Sequence, residues 1–409
     1  MNTPKIRFKG FKDDWEQRKL GDVCSRVQGN DGRMELPTLT ISAGNGWMRQ
    51  EDRFSGNIAG KEQKNYTLLR KGELSYNHGN SKLAKYGTVF SLQTYEEALV
   101  PRVYHSFKVK EGNCDFVEYY FATKLPDREL SKLISSGARM DGLLNIGYDE
   151  FMGIQMKFPS TLEQRKISLY FRKLDHLITL HQRKCDETKQ LKKFMLQKMF
   201  PKNGEKNPEI RFEGFTDDWE QRKLGDITEL KSASRVHKEE WTTSGVPFYR
   251  SSDVMAAING IKNEKAYISE ELYEKLSDMS GKLEAGDVLV TGGGSVGNPY
   301  IVPNNEPLYT KDADLLWIKN QGKFYPYFLY EFFFSPTFRN YLASISHVGT
   351  IAHYTITQLS DTPICLPSFE EQKKVGEYFF NLDHLITLHQ RKCEKLKELK
   401  KFMLQNMFV

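Results

Sequence analysis

The chain contains two copies of two different segments, and this internal duplication limits what it can fold into. Residues 4–23 and 208–227 are identical at 16 of 20 positions, and residues 158–200 and 366–408 at 29 of 43. The twelve residues LDHLITLHQRKC stand unchanged at 174–185 and 382–393. The stretches between the repeats, 24–157 and 228–365, share almost no alignable sequence. We therefore expect one scaffold that presents two unlike domains.

The longer repeats have the apolar spacing of a coiled-coil helix. Apolar or semi-polar residues recur three or four positions apart, with one gap at Lys192. A narrow stripe with this spacing predicts a seam between two helices, each about 57 Å long at 1.5 Å per residue. The stripes are Ile167, Phe171, Leu174, Ile178, His181, Cys185, Thr188, Met195 and Met199, and then Val375, Phe379, Leu382, Ile386, His389, Cys393, Leu396, Met403 and Met407.

The natural partner of each long helix is the other copy. With a variable domain between them, antiparallel pairing about a pseudo-twofold axis is the simplest arrangement, and it brings the segment 4–23 beside the end of the second helix. The alternative is that each helix docks only on its own domain. The fold class that follows is α+β, with two mixed α/β domains joined by an antiparallel coiled coil.

The variable stretches carry signals for both strands and helices. Residues 286–290 and 315–318 are apolar runs between Gly, Asn and Pro turns and predict strands. Residues 116–123 and 328–334 fit either a helix or a buried strand. The predicted domains are 1–157 (lead segment plus first variable domain), 158–203 (first helix), 204–365 (lead segment plus second variable domain) and 366–409 (second helix).

Charge is distributed unevenly over a chain whose net charge is +6. The helices 162–199 and 370–407 carry about +6 and +2, whereas the variable stretches 24–157 and 228–365 carry about +2 and −4. This permits nucleic-acid binding without demanding it, and a partner is expected to supply part of the contact with DNA phosphates.

Other features of the composition favour a cytoplasmic protein. The chain has five cysteines and no CxxC pair, a pattern typical of reduced thiols. It has no apolar run of about 18 residues and no apolar signal segment at its start, so we expect no membrane partner.

The residues that open both long helices carry a resemblance to a known family. The sequence FPSTLEQRKI at 158–167 and its twin LPSFEEQKKV at 366–375 are similar to the pattern I-P-L-P-S-x-x-E-Q-x-K-I of the specificity subunits of type I restriction–modification systems. The motif WEQRKLGD, at 15–22 and 219–226, also resembles the segment that leads into each target recognition domain of that family. The resemblance covers the whole chain in the family's order.

The resemblance implies a DNA-reading subunit that catalyses nothing itself. Each target recognition domain would read one half of a bipartite sequence in double-stranded DNA, and the paired helices would fix the spacer. Two methyltransferase subunits and the restriction subunits would be its partners. S-adenosylmethionine, ATP and Mg²⁺ would bind to those partners, and this chain would hold no cofactor. Half-sites one helical turn apart need recognition elements about 34 Å apart, which the predicted helix pair can span.

Candidate DNA contacts lie at the start of each variable domain, in a loop within it and in a loop before each long helix. Asn and Arg can read adenine and guanine edges, and Gly292, Gly293 and Gly294 would let the backbone approach a phosphate. The alternative for each residue is an ordinary surface turn. The candidates are Ser42, Asn77, His78, Asn80, Ser81, Lys82, Lys85, Arg102 and Arg139 in the first domain, and Arg250, Ser251, Ser252, Thr291, Gly292, Gly293, Ser295, Lys311, His347, Thr350 and His353 in the second.

Three competing hypotheses remain at this stage. His181, Cys185, His389 and Cys393 could meet as a tetrahedral zinc site, although packing of small side chains in the seam explains them as well, and we predict no metal. The chain could be a DNA-modifying enzyme with an unrecognised site, although it contains no HExxH motif. It could also be an adaptor whose helices bind only protein.

Overall fold

The computed structural model describes residues 3–54, 60–134, 143–202, 204–311, 314–345 and 353–409. The chain divides into two compact units, one made of residues 1–181 with 391–409 and the other of residues 182–390. Each unit contains one variable stretch and parts of both long helices. No helix among the described residues is long and apolar enough to cross a membrane.

The first unit is a mixture of short strands and helices. Its main sheet has the strand order β2-β9-β6-β7, and β3 pairs with β4, β5 with β8 and β1 with β10. The strands are β1 (Glu16–Lys19), β2 (Cys24–Arg26), β3 (Leu39–Ser42), β4 (Gly46–Arg49), β5 (Thr67–Arg70), β6 (Leu74–Asn77), β7 (Thr88–Ser91), β8 (Glu97–Val100), β9 (His105–Val109) and β10 (Gln155–Phe158). The helices are α1 (Leu20–Val23), α2 (Gln50–Phe54), α3 (Cys114–Ala122), α4 (Asp127–Lys132), α5 (Tyr148–Met152) and the first part of α6 (Thr161–Lys198).

The second unit has a main sheet of the same design, in the order β12-β19-β16-β17, and a further sheet in the order β13-β15-β14-β18. The strands are β11 (Glu220–Lys223), β12 (Leu230–Ser232), β13 (Trp241–Thr242), β14 (Val246–Tyr249), β15 (Ala266–Ile268), β16 (Val288–Thr291), β17 (Pro299–Ile301), β18 (Tyr309–Thr310), β19 (Leu315–Ile318) and β20 (Pro363–Leu366). The helices are α7 (Leu224–Ile227), α8 (Ser251–Asn259), α9 (Glu270–Ser280), α10 (Pro326–Phe332), α11 (Pro336–Ile345), α12 (Ile356–Ser360) and part of α13 (Phe369–Asn406).

These elements confirm the predicted α+β class. They also show whether the runs at 116–123 and 328–334 are helices or strands. The apolar runs at 286–290 and 315–318 form β16 and β19, whose side chains are all buried. The runs at 116–123 and 328–334 fall in the helices α3 and α10.

The long helices pack antiparallel to one another inside each unit. In the first unit Asp175 of α6 pairs with Lys400 of α13 at 2.5 Å, and the Cys393 thiol faces the Ile178 carbonyl at 4.0 Å. Each member of the two predicted stripes is buried or half-buried, as expected for residues that pack in a seam.

The second unit repeats this helix packing with the roles of α6 and α13 exchanged. Lys192 of α6 pairs with Asp383 of α13 at 2.6 Å, and the Cys185 thiol faces the Ile386 carbonyl at 3.9 Å.

An ion pair attaches each lead segment, residues 4–23 or 208–227, to the start of a long helix. Arg7 donates to both carboxylate oxygens of Glu163, at 2.7 and 2.8 Å, and Arg211 donates to Glu371 at the same two distances. Both glutamate side chains are only 1% exposed. A bidentate pair of this kind is short and directional, so it fixes where the lead segment lies.

The next residue of each helix fastens the variable domain. The Gln164 side chain donates to the Pro159 carbonyl at 2.9 Å and accepts from the Asn113 N–H, at the start of α3, at 3.0 Å. Gln372 makes the same two bonds, to the Pro367 carbonyl and from the Tyr325 N–H at the start of α10, both at 3.0 Å.

Each variable stretch leaves and rejoins the scaffold at one place. β1 pairs antiparallel with β10, and β11 pairs antiparallel with β20 in the same register. Trp15 and Trp219 lie beneath these ladders, and they contact Phe408 and Phe200 respectively, with ring centroids 6.1 and 6.4 Å apart.

The N-terminal lead segment lies against the end of α13, as predicted. The Ile6 N–H donates to the Asn406 carbonyl at 2.9 Å.

One of the buried positions at which the two units differ holds an acid in the second unit. Counting from the equivalent residues Asn113 and Tyr325, position 119 of α3 corresponds to position 331 of α10. The Tyr119 hydroxyl donates to the Asp175 carboxylate at 2.7 Å.

Glu331 instead accepts from Lys192 at 2.8 Å, and its side chain is 1% exposed. Burial raises the pKa of Glu331 to about 8; the ammonium of Lys192 opposes this shift and the carboxylate of Asp383 adds to it.

We predict that Glu331 makes the stability of the chain depend on pH. Between pH 5 and 8 the folded chain retains a proton that an unfolded glutamate has lost, so the free energy of unfolding falls as the pH rises. Glu331→Gln removes this titration. We expect denaturant melts of the variant to flatten the fall between pH 5 and 8 by on the order of 1–3 kcal/mol.

Tyr119→Phe is the matched control for this measurement, since it changes the equivalent position of the other unit without adding or removing a group that titrates in this range. It should keep the pH dependence of the original chain. A Glu331→Gln variant with that same dependence would contradict the prediction.

Candidate nucleic-acid interface

In the first unit, the loop that follows β6 meets the segment that precedes α5. The Leu144 N–H donates to the His78 carbonyl at 2.9 Å, and Gly79 forms an isolated antiparallel bridge with Leu143. The structure therefore brings the loop after β6 next to Leu143 and Leu144, in the segment that precedes α5.

Two open clefts, of about 910 and 660 Å³, border this loop. Arg102, in the connection between β8 and β9, lies on the wall shared by both clefts, together with Val103 and Tyr104. Arg102 and Val103 are exposed and Tyr104 is buried. A cationic side chain between two clefts can reach a ligand in either.

Four predicted residues of the first domain line these clefts. His78 lines the larger cleft, Asn77 and Asn80 line the smaller one, and Arg102 lines both. Asn80 and Arg102 are exposed, whereas Asn77 is half-buried and donates to the Ile41 carbonyl at 3.2 Å. Asn80 is therefore the predicted residue best placed to contact a base edge, and Arg102 is exposed to a ligand in either cleft.

Four other predicted residues of this domain are absent from the cleft walls. Ser42 is half-buried at the end of β3, and the remaining three belong to a turn in which the Ser81 hydroxyl accepts from the Ala84 N–H at 3.1 Å. The four residues are Ser42, Ser81, Lys82 and Lys85.

Two histidines form part of the wall of the larger cleft. The rings of His78 and His105 lie 4.9 Å apart, and His105 Nε2 lies 2.8 Å from the Ile146 carbonyl. Burial lowers the pKa of His105, partly offset by that hydrogen bond. The His105 ring is therefore neutral at neutral pH and contributes hydrogen-bonding groups, not charge, to the cleft.

In the second unit the predicted residues gather around Asp314, which sequence reasoning did not identify. The Asp314 carbonyl accepts from the Ser251 hydroxyl at 2.9 Å and from the Gly292 N–H at 2.8 Å, and its carboxylate pairs with Lys311. The Tyr354 N–H donates to the Gly292 carbonyl at 2.8 Å, which places the exposed His353 beside the glycine loop.

The glycines of this loop serve the packing of the loop itself. A Cβ on Gly293 would lie 3.0 Å from the Asp314 carboxylate, and Gly294 has a positive φ of +70°. Thr291 is fully buried, and its hydroxyl donates to the Ser295 carbonyl and accepts from the Asn298 N–H at 2.9 Å. Thr291 therefore shapes the loop from inside, and the exposed Ser295 is its outward-facing predicted residue.

Arg250 is held within its own unit. Its guanidinium donates to the Asp253 carboxylate at 2.9 Å and to the Glu264 carbonyl at 2.5 Å, and it lies over the Trp241 ring at 5.6 Å. These contacts explain Arg250 as part of the start of α8. The neighbouring Ser252 is exposed and accepts from Asn263 at 3.2 Å.

Three predicted contacts, Arg139, His347 and Thr350, lie outside the described residues. They remain predictions of the sequence alone.

The cleft walls also contain residues that sequence reasoning missed. They come from separate parts of the chain and belong to no motif, so only the fold brings them together. Among the polar ones are Arg26, Gln28, Asn30, Arg53, Glu62, Lys64 and Asn65.

The hypothesis of a zinc site finds no support in the part of the chain that the structure describes. No group of three or more His, Cys, Asp or Glu residues there could hold a metal ion. None of the five cysteines forms a disulfide in the described part of the chain, and Cys185 and Cys393 face backbone carbonyls in the helix seam.

Comparison with known sequences points to one family. Residues 216–398 match the family model for the type I restriction modification DNA specificity domain. The type I restriction enzyme MjaVIII specificity subunit of Methanocaldococcus jannaschii is 23% identical over 304 residues, which cover 72% of this chain and 70% of that protein. The MjaIX specificity subunit of the same organism is 27% identical over 200 residues, 47% of this chain and 44% of that protein.

Solved structures share the fold. The crystal structure of the type I restriction-modification system S subunit from M. genitalium matches with a TM-score of 0.63 and 15% identity, covering 100% of this chain and 99% of that one. A chain from a study of complex assembly and conformational transition of the type I R-M system matches with a TM-score of 0.50 and 13% identity, covering 98% and 99%.

We predict that Asn80→Ala weakens the reading of one half of a bipartite DNA target and leaves the other half unaffected. A bidentate amide contact to adenine contributes about 1–3 kcal/mol of discrimination between bases. Binding to duplexes mutated in either half should show this loss. Asn45→Ala is the control, because Asn45 is exposed and lies outside both clefts. Equal losses at both halves would refute the assignment.

Proposed function

Since the chain belongs to the DNA specificity subunits of type I restriction–modification systems, we propose that its two variable domains each read one half of a bipartite DNA target. The paired long helices then set the spacer between the two halves. This function requires two domains whose DNA-facing surfaces can differ while their contacts with the long helices stay the same.

One observation carries this proposal: the two unlike variable domains are attached to the long helices by the same contacts. Glu163 and Gln164 make the same contacts in the first unit as Glu371 and Gln372 make in the second. The surfaces presented by the two domains differ: amide and cationic groups line clefts in the first, and a glycine loop packs around Asp314 in the second. Two domains that share their contacts with the helices but differ in surface are suited to reading two different half-sites.

The chemistry is proposed to reside on partner proteins. Two methyltransferase subunits would methylate adenine with S-adenosylmethionine, and restriction subunits would use ATP and Mg²⁺. The chain itself would contribute sequence recognition and bind no cofactor. Exposed apolar residues on the long helices, including Leu162, Leu169 and Phe402, offer surfaces for such partners.

The competing functions are less well supported. Neither a DNA-modifying enzyme nor a protein-only adaptor is favoured by relatives that are named as specificity subunits.

The test is a base-resolution map of adenine methylation in host cells with and without this gene, with the methyltransferase gene retained. We expect an interrupted two-part motif to disappear when the gene is deleted and to return when it is restored. A motif that persists after deletion would contradict the proposed function.

A further inference from the structure

We propose that the two domains hold DNA by different physical means, and that the first domain supplies most of the phosphate contacts. This inference rests on the proposed function. It assigns the salt-dependent part of binding to the cations Arg26, Lys64 and Arg102, and it assigns a nearly charge-neutral mode of contact to the second domain.

The larger cleft of the first domain is lined by cations and by no carboxylate among the residues the structure describes. Arg26, Lys64 and Arg102 are all exposed. The Arg26 guanidinium lies 4.4 Å from the centre of the Tyr148 ring, which restricts its motion without neutralising its charge. Exposed cations along an open cleft attract a polyanion and release its counterions on contact.

The smaller cleft differs from the larger one in the polar groups that line it. Its wall carries the amides of Asn77 and Asn80 and a single carboxylate among its lining residues, that of Glu62. Arg102 borders both clefts, so a backbone held in the larger one can present base edges to the smaller one. Amide, guanidinium and carboxylate groups are the ones that read base edges.

The corresponding cations of the second domain are already neutralised. Arg250 is paired with Asp253, and Lys311 is paired with Asp314, each three residues along the chain. A DNA phosphate would have to compete with those carboxylates. The sequence agrees, because residues 228–365 carry about −4 and residues 24–157 about +2. Hydroxyl and backbone groups, such as those of Ser295, remain to face the second half-site.

The experiment measures the salt dependence of binding by the chain assembled with its methyltransferase partner on the motif found by methylation mapping. Each phosphate contact contributes about −0.9 to the slope of log K against log[salt]. Lys64→Ala and Arg102→Ala should each reduce the slope by about 0.9. Between 50 and 200 mM salt each variant should therefore lose about three- to four-fold less affinity than the original chain.

The matched control is the double variant Lys311→Met with Asp314→Asn, which removes a cation of the second domain without changing the net charge. We expect its slope to equal that of the original chain. A slope reduced by this double variant as much as by Lys64→Ala would overturn the inference, and so would unchanged slopes for both first-domain variants.

A second readout uses duplexes in which uncharged methylphosphonate linkages replace the phosphates of one half-site at a time. Affinity should fall more when the half-site read by the first domain, identified by Asn80→Ala, is neutralised. Equal losses would refute the asymmetry alone. If the original complex shows no preference for the methylated motif, the proposed function fails, and this inference fails with it.

Discussion

The bidentate ion pair between an arginine of each lead segment and the first-turn glutamate of each long helix is the constraint on which the rest of the structure depends. Glu163 and Glu371 are almost fully buried, and removing the partner of a buried charge costs about 3–5 kcal/mol. The following glutamine ties the same turn to the variable domain. Two adjacent residues thus hold the lead segment, the helix and the domain together, which gives a physical reason for the Glu-Gln of the motif.

In this arrangement the residues that attach a variable domain to the scaffold are separate from the residues proposed to read DNA. Each variable domain leaves and rejoins the scaffold through one antiparallel ladder, β1 with β10 or β11 with β20, above a buried tryptophan. Substitutions at exposed cleft residues such as Asn80 and Arg102 therefore leave the bonds of Glu163 and Gln164 intact. The second unit can replace the first unit's Tyr119 with the buried acid Glu331, and its glycine loop can replace an amide-lined cleft, while Lys192–Asp383 preserves the packing seen at Lys400–Asp175.

The sequence predicted those features that depend on periodicity and repetition. The long helices, their buried stripes and the strands β16 and β19 follow from local patterns that need no knowledge of distant residues. The candidate site was predicted less well. Asn80 and Arg102 line the clefts, but Arg26 and Lys64 join them only through the fold, and Thr291 proved to be buried. Glu331 lies in the aromatic run FLYEFFF, where a lone acid is a visible signal of a buried ionisable group.

The most direct test of the account is a chain that keeps residues 24–157 and carries a second copy of them in place of residues 228–365. Both positions on the scaffold then hold the first variable domain. Adenine methylation is then mapped in host cells that retain the partner genes. If recognition depends only on which domain is attached at each position, the methylated motif becomes an inverted repeat. Both of its halves are then the half-site read by the first domain, and an unspecified spacer separates them. A folded, assembled chain that still directs the original motif would show that recognition does not reside in the exchanged domains.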